Sequence, residues 1–515
     1  MKFNEIIRGM RGIPAALLLL SLAPQVLRAD IAETFGMGPR MIGTSGAGVA
    51  NINDWTASFY NMAGVASPMS DRAIFGNQEK SEEASGKIKL LKDDGSLQSD
   101  EKGNKDAIDK KLESEVLTRD DKPAHQMGMN YLFQATLPTL SPKAMGPETA
   151  KNVDLAKKNM VYGAIQMGLV FDTRSVINTP KNIPIRVGVS LSVPQSAVAT
   201  VNDTKIESYN FMRYGREAQR MLIIAGVGAQ VWRNRLSIGV GANTFTGGRG
   251  KFEMKNVEID PTGNTQVPNA ETQMDLTPTV APVAGVQYRH NIKNRILLVG
   301  ASWRGEIMMQ LDPLDANATT ELLQVELPLR LAILDFYSPH TFTLGFTYLH
   351  DEALKLSLDG ELQLWNRFQV NSARAAYMKE RGEYFERFRN IILVRLGAET
   401  RPGRYIRKLS DVPLFVRTGF SYTPAFTPDQ TGYSNFLDND KIGYSLGASY
   451  FLNANSIVKV PVELIFGFQH QIMLTRTSSK SGDVTSSQSY ISGNQPDYTY
   501  GGHVIVATLG ALMKF

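Results

Sequence analysis

Cysteine is absent from the 515 residues, which excludes disulfides, thiol nucleophiles and cysteine-held metals. After the N-terminus there is no apolar run of the roughly 18 residues that a membrane helix needs. Charge is sparse too, with Asp, Glu, Lys and Arg making up 20 % of the chain. Histidine is scarce: His125, His290, His340, His350, His470 and His503 are all there is, and no two stand at a metal-ligand spacing on one element. No cofactor is implied. A wall histidine beside a serine would make a hydrolase, with His470 or His503 as its candidates, but no motif supports one, and the chain reads as a non-enzyme.

The first 29 residues read as a secretory leader. Lys2, Arg8 and Arg11 precede an apolar stretch over 13–26, and Leu27-Arg28-Ala29 is a passable cleavage site. That leader holds four basic residues and one acid, so without it the formal charge falls from +5 to about +2. A nucleic-acid partner is not expected from so small a surplus.

What the chain has instead is alternation. Over 341–368, Phe342, Leu344, Phe346 and Tyr348 fall on one face and Thr341, Thr343, Gly345 and Thr347 on the other. Leu354, Leu356, Leu358, Leu362 and Leu364 then alternate with Lys355, Ser357, Asp359, Glu361 and Gln363. Side chains on a strand change sides at every residue, so this is a hairpin with one apolar and one wet face. One such hairpin fits a soluble sandwich equally well. Recurrence along the chain favours lipid outside and water inside a transmembrane barrel.

The spacing predicts strands at 72–79, 160–172, 184–200, 218–232, 235–253, 273–290, 294–311, 340–351, 353–369, 388–400, 412–425, 441–453, 456–475 and 497–515, an all-β antiparallel barrel of about 14 strands. Residues 126–138 also look strand-like, either as wall or as part of a charged insertion over 80–159. Short turns alternate with long polar connections, although the links at 174–183 and 401–411 are longer than the pattern asks. The last strand alternates Ile505, Ala507, Leu509, Ala511, Met513 and Phe515 on one face, similar to the aromatic-ended signal read by bacterial barrel-assembly machinery. A helix-competent stretch falls at 372–390. Residues 30–68 are too rich in glycine for a helix and too poor in alternation for a strand, so they are expected to be compact and irregular.

Several motifs carry a resemblance. The segment Phe59-Tyr60-Asn61-Met62-Ala63-Gly64 is similar to the Phe/Tyr-Asn-Pro-Ala-Gly motif that follows the Gly-rich N-terminus of the FadL family, with Met62 in place of proline. Leu362-Gln363-Leu364-Trp365-Asn366-Arg367-Phe368 resembles the family's Trp-Ser-Xaa-Phe segment, and Ser445-Leu446-Gly447-Ala448-Ser449-Tyr450 one of its later strands. The resemblance implies a 14-stranded outer-membrane barrel whose N-terminal segment lies inside as a hatch. It implies passive uptake of long-chain fatty acids or similar hydrophobic small molecules, in contact with outer-membrane lipid and lipopolysaccharide, and read here as a monomer. The alternative is a surface adhesin or a general porin.

In the family an inward kink of the third strand opens the wall sideways. Val193-Pro194-Gln195-Ser196 is the matching place, because proline has no N–H for a ladder; alternatively Pro194 simply ends the strand at the rim. Arg249 and Lys251, with Phe252, lie where the family keeps a base for the ligand's carboxylate, or else are rim charges that snorkel to headgroups. The apolar run around Leu327, over 322–336, either lines a groove that collects ligand or packs within its loop.

Overall fold

The computed structural model describes residues 31–67, 125–143, 153–154, 156, 160–177, 183–195, 209–214, 221–232, 235–255, 269–292, 295–308, 314–320, 325–331, 337–350, 353–368, 388–410, 412–430, 434–452, 460–480 and 497–515. For 246–255, 269–278, 314–320 and 325–331 it gives the course of the backbone alone.

Fourteen antiparallel strands form the wall. They are β1 (Gln126–Pro142), β2 (Val161–Asp172), β3 (Ile185–Pro194), β4 (Leu222–Trp232), β5 (Leu236–Lys255), β6 (Asn269–Ile292) and β7 (Arg295–Arg304), followed by β8 (Thr341–Leu349), β9 (Leu354–Gln363), β10 (Ile391–Thr400), β11 (Leu414–Thr423), β12 (Lys441–Leu452), β13 (Val462–Ser478) and β14 (Tyr498–Lys514). Each pairs with its neighbours in sequence, and β14 pairs with β1 from Gln126 opposite Lys514 to Pro142 opposite Tyr498. The ring is closed, which leaves no long edge to template aggregation. A hairpin of Leu314–Thr320 and Val325–Leu331 adds to β5 in parallel, with Ala316 opposite Phe252.

The polarity of the wall is inside out relative to a soluble protein. Phe342, Leu344 and Leu358 point outward and are 45 %, 49 % and 45 % exposed, while Lys355, Asp359 and Glu361 are buried inside. Outward aromatic residues mark the two rims: Trp232, Tyr348 and Tyr450 near the short turns, Tyr422 and Tyr444 near the long connections. Such a band, bounded by aromatics, is the surface of a barrel of the bacterial outer-membrane type.

Two sequence expectations change. The first wall strand is β1 and not 72–79, because β1 is bonded along one edge to β2 and along the other to β14, so the ring has no vacancy. Residues 72–79 lie outside the described residues. The stretch 80–159 is therefore not one external loop, since β1 runs through it. The charged part ahead of β1 joins Ser67 to His125, and both of these sit at the short-turn end. Ser67 O accepts from Arg186 near the start of β3 at 2.8 Å, and His125 exchanges backbone bonds of 2.7 and 3.0 Å with Phe515. The helix-competent residues 372–387 lie outside the described residues.

The third strand ends on Pro194. Its ladder with β2 runs to Ala164 opposite Pro194 and one step further, Gln195 N donating to Gly163 O at 2.8 Å. Its ladder with β4 stops earlier, at Ser192 opposite Leu222. Backbone groups alternate sides along a strand, so the Pro194 nitrogen faces β4, where the ladder has already ended. Beyond this point β5 continues to Lys255 and β1 to Pro142. Ser196 lies outside the described residues.

Candidate ligand-binding site

Residues 31–67 lie inside the ring as a chain of single turns: Ile31–Phe35, Pro39–Ile42, Ala57–Tyr60 and the 3₁₀ turn Met62–Val65. The wall receives them at inward-facing glycines. A Cβ on Gly128 would collide with the Trp55 indole, and one on Gly285 with the Asn61 carboxamide. Asn61 fixes the motif that carried the family resemblance. Its Nδ2 donates to Val49 O at 3.0 Å and to Val286 O of β6 at 3.1 Å, while its Oδ1 accepts from Ala63 N at 3.1 Å and caps the 3₁₀ turn. Met62 stands at the first position of that turn, where proline is tolerated but not needed, and its side chain is buried against β4 and β5 at Gly226 and Gly241. Phe59, Ala63 and Gly64 are buried, and the Tyr60 hydroxyl accepts from Met37 N at 2.9 Å.

Buried charge ties the segment to the wall. Asp359 of β9 accepts from Gly48 N at 2.7 Å and Val49 N at 2.9 Å. Toward the short-turn end, Glu399 accepts from Lys355 at 2.8 Å and Arg417 at 2.5 Å and lies 3.4 Å from Arg40 of the segment. Arg40 also pairs with Asp54 and donates to Asn53 Oδ1. These contacts tie the segment to the short-turn end of the lumen.

Above the segment, toward the long connections, is a cavity lined by Ala32, Glu33, Phe59, Tyr60, Arg213 and Tyr214 together with wall residues from β7 to β13. The wall contribution is polar: Arg304, Thr343, Glu361, Gln363, Arg395, Ser421, Lys441, Gln469 and Gln471. Arg395 pairs with Glu361 at 2.7 Å and Lys441 with Asp438 at 2.6 Å. Arg304 is different. Its guanidinium carbon lies 4.3 Å from the Phe59 ring centroid, and its buried Nη1 finds no acceptor among the described residues. Arg213 Nε is paired more loosely, 3.7 Å from Asp438 and beyond hydrogen-bond distance of any described acceptor. A buried N–H without a partner costs roughly 1–3 kcal/mol. A ligand's acidic head placed here would offset that cost. Burial raises the Tyr214 phenol well above its ordinary value, so it faces the cavity as a neutral donor.

The opposite side of the lumen is uncharged but mixed, with buried Gln134, Thr136, Ser192 and Asn243 set among apolar side chains. Leu132 and Leu140 of β1, Tyr162 and Ala164 of β2, Leu222 and Ile224 of β4, Phe245 of β5, Val283 of β6 and Val504 and Val506 of β14 all point inward and are buried. This is the side on which β3 and β4 part. Over the mouth sits an aromatic cluster of Tyr337, Trp365, Phe368, Phe388, Phe426 and Phe436. Trp365 and Phe426 stack at 3.9 Å, and Arg213 lies 5.3 and 5.0 Å from their centroids.

Of the residues singled out from sequence, the Phe59–Gly64 group is brought together inside the barrel. Arg249, Lys251 and Phe252 lie on the part of β5 above Phe245, opposite Asp275, Gln273 and Thr272 of β6; Leu327 lies on the added hairpin opposite Ala318. Their side chains lie outside the described residues. Sequence reasoning missed Arg304, Arg395 and Lys441. The available signal was their inward parity on strands whose outward positions are apolar. Arg213 comes from a connection and had no such signal. His470 and His503 face outward and bond each other at 3.1 Å, away from the lumen.

No protein-family profile matches this chain, and no curated protein matches it by sequence. Among solved structures, a Pseudomonas aeruginosa FadL homologue is similar with a TM-score of 0.53 at 12 % identity, covering 93 % of this chain and 98 % of that one. The Ralstonia pickettii toluene transporter TbuX follows at 0.42 and 12 %, covering 94 % and 100 %. The monoaromatic hydrocarbon channel CymD stands at 0.43 and 12 %, covering 94 % and 98 %. The chain thus has the fold of the Pseudomonas FadL homologue, a closed fourteen-stranded barrel.

Proposed function

We propose that this chain is an outer-membrane passive transporter of long-chain fatty acids or similar hydrophobic small molecules with an acidic head, and not an enzyme. The observation that carries the reading is the two-sided lumen. A cation with an unpartnered N–H stands on one side, and an uncharged wall rich in apolar side chains, beside a parted ladder, stands on the other.

In this reading ligand adsorbs at the aromatic cluster around Trp365 and Phe426. Its carboxylate takes the place that Arg304 leaves open, and its tail lies along Leu222, Ile224 and Val504. Residues 31–67 act as the hatch. Exit is sideways, where β3 leaves β4 next to Pro194, since each methylene that passes from water to hydrocarbon gains about 0.8 kcal/mol. An aqueous exit past the ion pairs at the short-turn end forfeits that gain. Transport needs only a gradient.

The test is uptake of a labelled long-chain fatty acid by cells lacking their own transporter, at matched barrel yield. Wild-type uptake is expected, and Arg304→Ala should reduce it roughly tenfold, the scale of one charge-assisted hydrogen bond. Uptake of neutral toluene should be unchanged by the substitution. No uptake of either compound by the wild type would replace the transporter with a sealed or water-filled barrel.

A further inference from the structure

The connection between β10 and β11 does not behave like the other short-end turns. Its described residues form two 3₁₀ turns, Pro402–Arg404 and Arg407–Leu409. They are packed on each other so closely that a Cβ on Gly403 would strike Leu409 O. Tyr405 N and Ile406 N both donate to Pro402 O, at 3.0 and 2.9 Å, and Arg401 N anchors the start to Ala353 O at 2.9 Å. This is a built platform and not slack chain. On it Tyr405 and Ile406 are 58 % and 50 % exposed, flanked by exposed Arg404, Arg407 and Lys408. Among the described residues no carboxylate pairs with any of those three cations. The other long short-end link differs in this respect: its Arg174 is spent on Asp172, with bonds of 2.9 and 2.7 Å.

We propose that this double turn is an interfacial anchor that seats on anionic phospholipid at the short-turn face of the membrane. The proposal rests on the membrane-spanning reading of the barrel. An aromatic and a branched aliphatic side chain beside three cations that no described carboxylate pairs match the boundary between acyl chains and phosphate headgroups, where Lys and Arg are drawn to an anionic surface. The turn continues the rim drawn by Trp232, Tyr348 and Tyr450, so it lies at headgroup level without further movement. A tyrosine at such a boundary keeps its ring in the apolar layer and its hydroxyl in the wet one. Seated this way, the turn fixes the height of the β10–β11 side of the barrel.

The absence of cysteine gives a clean experiment. The full chain carrying Ile406→Cys is labelled with a nitroxide and reconstituted in vesicles of phosphatidylcholine alone or mixed with phosphatidylglycerol. Collision with oxygen and with a water-soluble nickel chelate is then measured. The expected result is about a threefold rise in the oxygen-to-nickel ratio when phosphatidylglycerol is present, cancelled by Arg404→Glu, Arg407→Glu and Lys408→Glu together. A ratio indifferent to the lipid, or to the charge reversals, would overturn the anchor. So would a label that is water-exposed in both vesicles but shielded in native outer-membrane fragments, which would assign the surface to a protein partner. A second label at Leu446→Cys, outward in the apolar band, separates the failures. A lipid-like Leu446 label with an unresponsive Ile406 label sinks the anchor alone, whereas a water-like Leu446 label sinks the membrane reading and the anchor with it.

Discussion

Outside, the barrel wall is nearly uniform; inside, its two halves differ. The inward positions of β8 to β13 near the long connections carry Thr343, Glu361, Arg395, Ser421, Lys441 and Gln471. Those of β14, β1, β2, β4 and β5 carry Val504, Leu132, Ala164, Ile224 and Phe245 among the uncharged Gln134, Thr136 and Asn243. Lipid demands the same of every outward residue, so the outer face varies little. Nothing so uniform constrains the lumen, and variation around the ring is where selectivity can be written. A polar half alone would suit water and ions, and an apolar half alone would trap a hydrocarbon. Facing each other, they suit a molecule with a head and a tail.

The comparison can be broken by placing a charge in the uncharged half. Ile224→Glu places a carboxylate in a fully buried patch beside Leu222 and Phe245. If it removes the burial of even two methylenes at about 0.8 kcal/mol each, fatty-acid uptake should fall roughly tenfold or more at equal barrel yield. Unchanged uptake would mean that the tail does not lie there. The polar half has a second task, holding the segment inside, and Asp359→Ala separates it from ligand binding. It leaves the amides of Gly48 and Val49 without their acceptor, a cost of about 1–3 kcal/mol. Ion conductance through single barrels in a planar bilayer should then rise severalfold while fatty-acid binding persists. A tight barrel would show that Arg40, Asn61 and the rest suffice. The gentlest change, Pro194→Val, restores an N–H facing β4 and permits the β3–β4 ladder to lengthen. Uptake should drop by about two- to fivefold, since only the exit is narrowed. Equal uptake would keep the transporter and remove the sideways exit.

Much of the wall was legible in the sequence. The 341–349 and 354–363 alternation appears as β8 and β9 with the expected faces, because period two follows from strand geometry and needs no tertiary information. The even count also held, yet its first member did not. Gln126–Pro142 carries only a weak alternation of Met, Tyr and Phe and follows a charged stretch. What identifies it as wall is its double ladder to β2 and β14, a pairing more than 350 residues apart that no local pattern announces. The interior was less legible still. The glycine-rich segment was expected to be compact, but its fit depends on which wall glycines face it, and that depends on register around the whole ring. The cavity arginines share this difficulty. Arg304 ends one strand and Arg395 sits mid-strand in another, and only closure of the barrel sets both beside Phe59 and Tyr60.

Ser67 and His125 leave and re-enter the barrel at the same end, the one that carries Phe515. In a cell envelope this is a statement about sidedness. By connection alone, the charged stretch between them begins and ends on one side of the barrel.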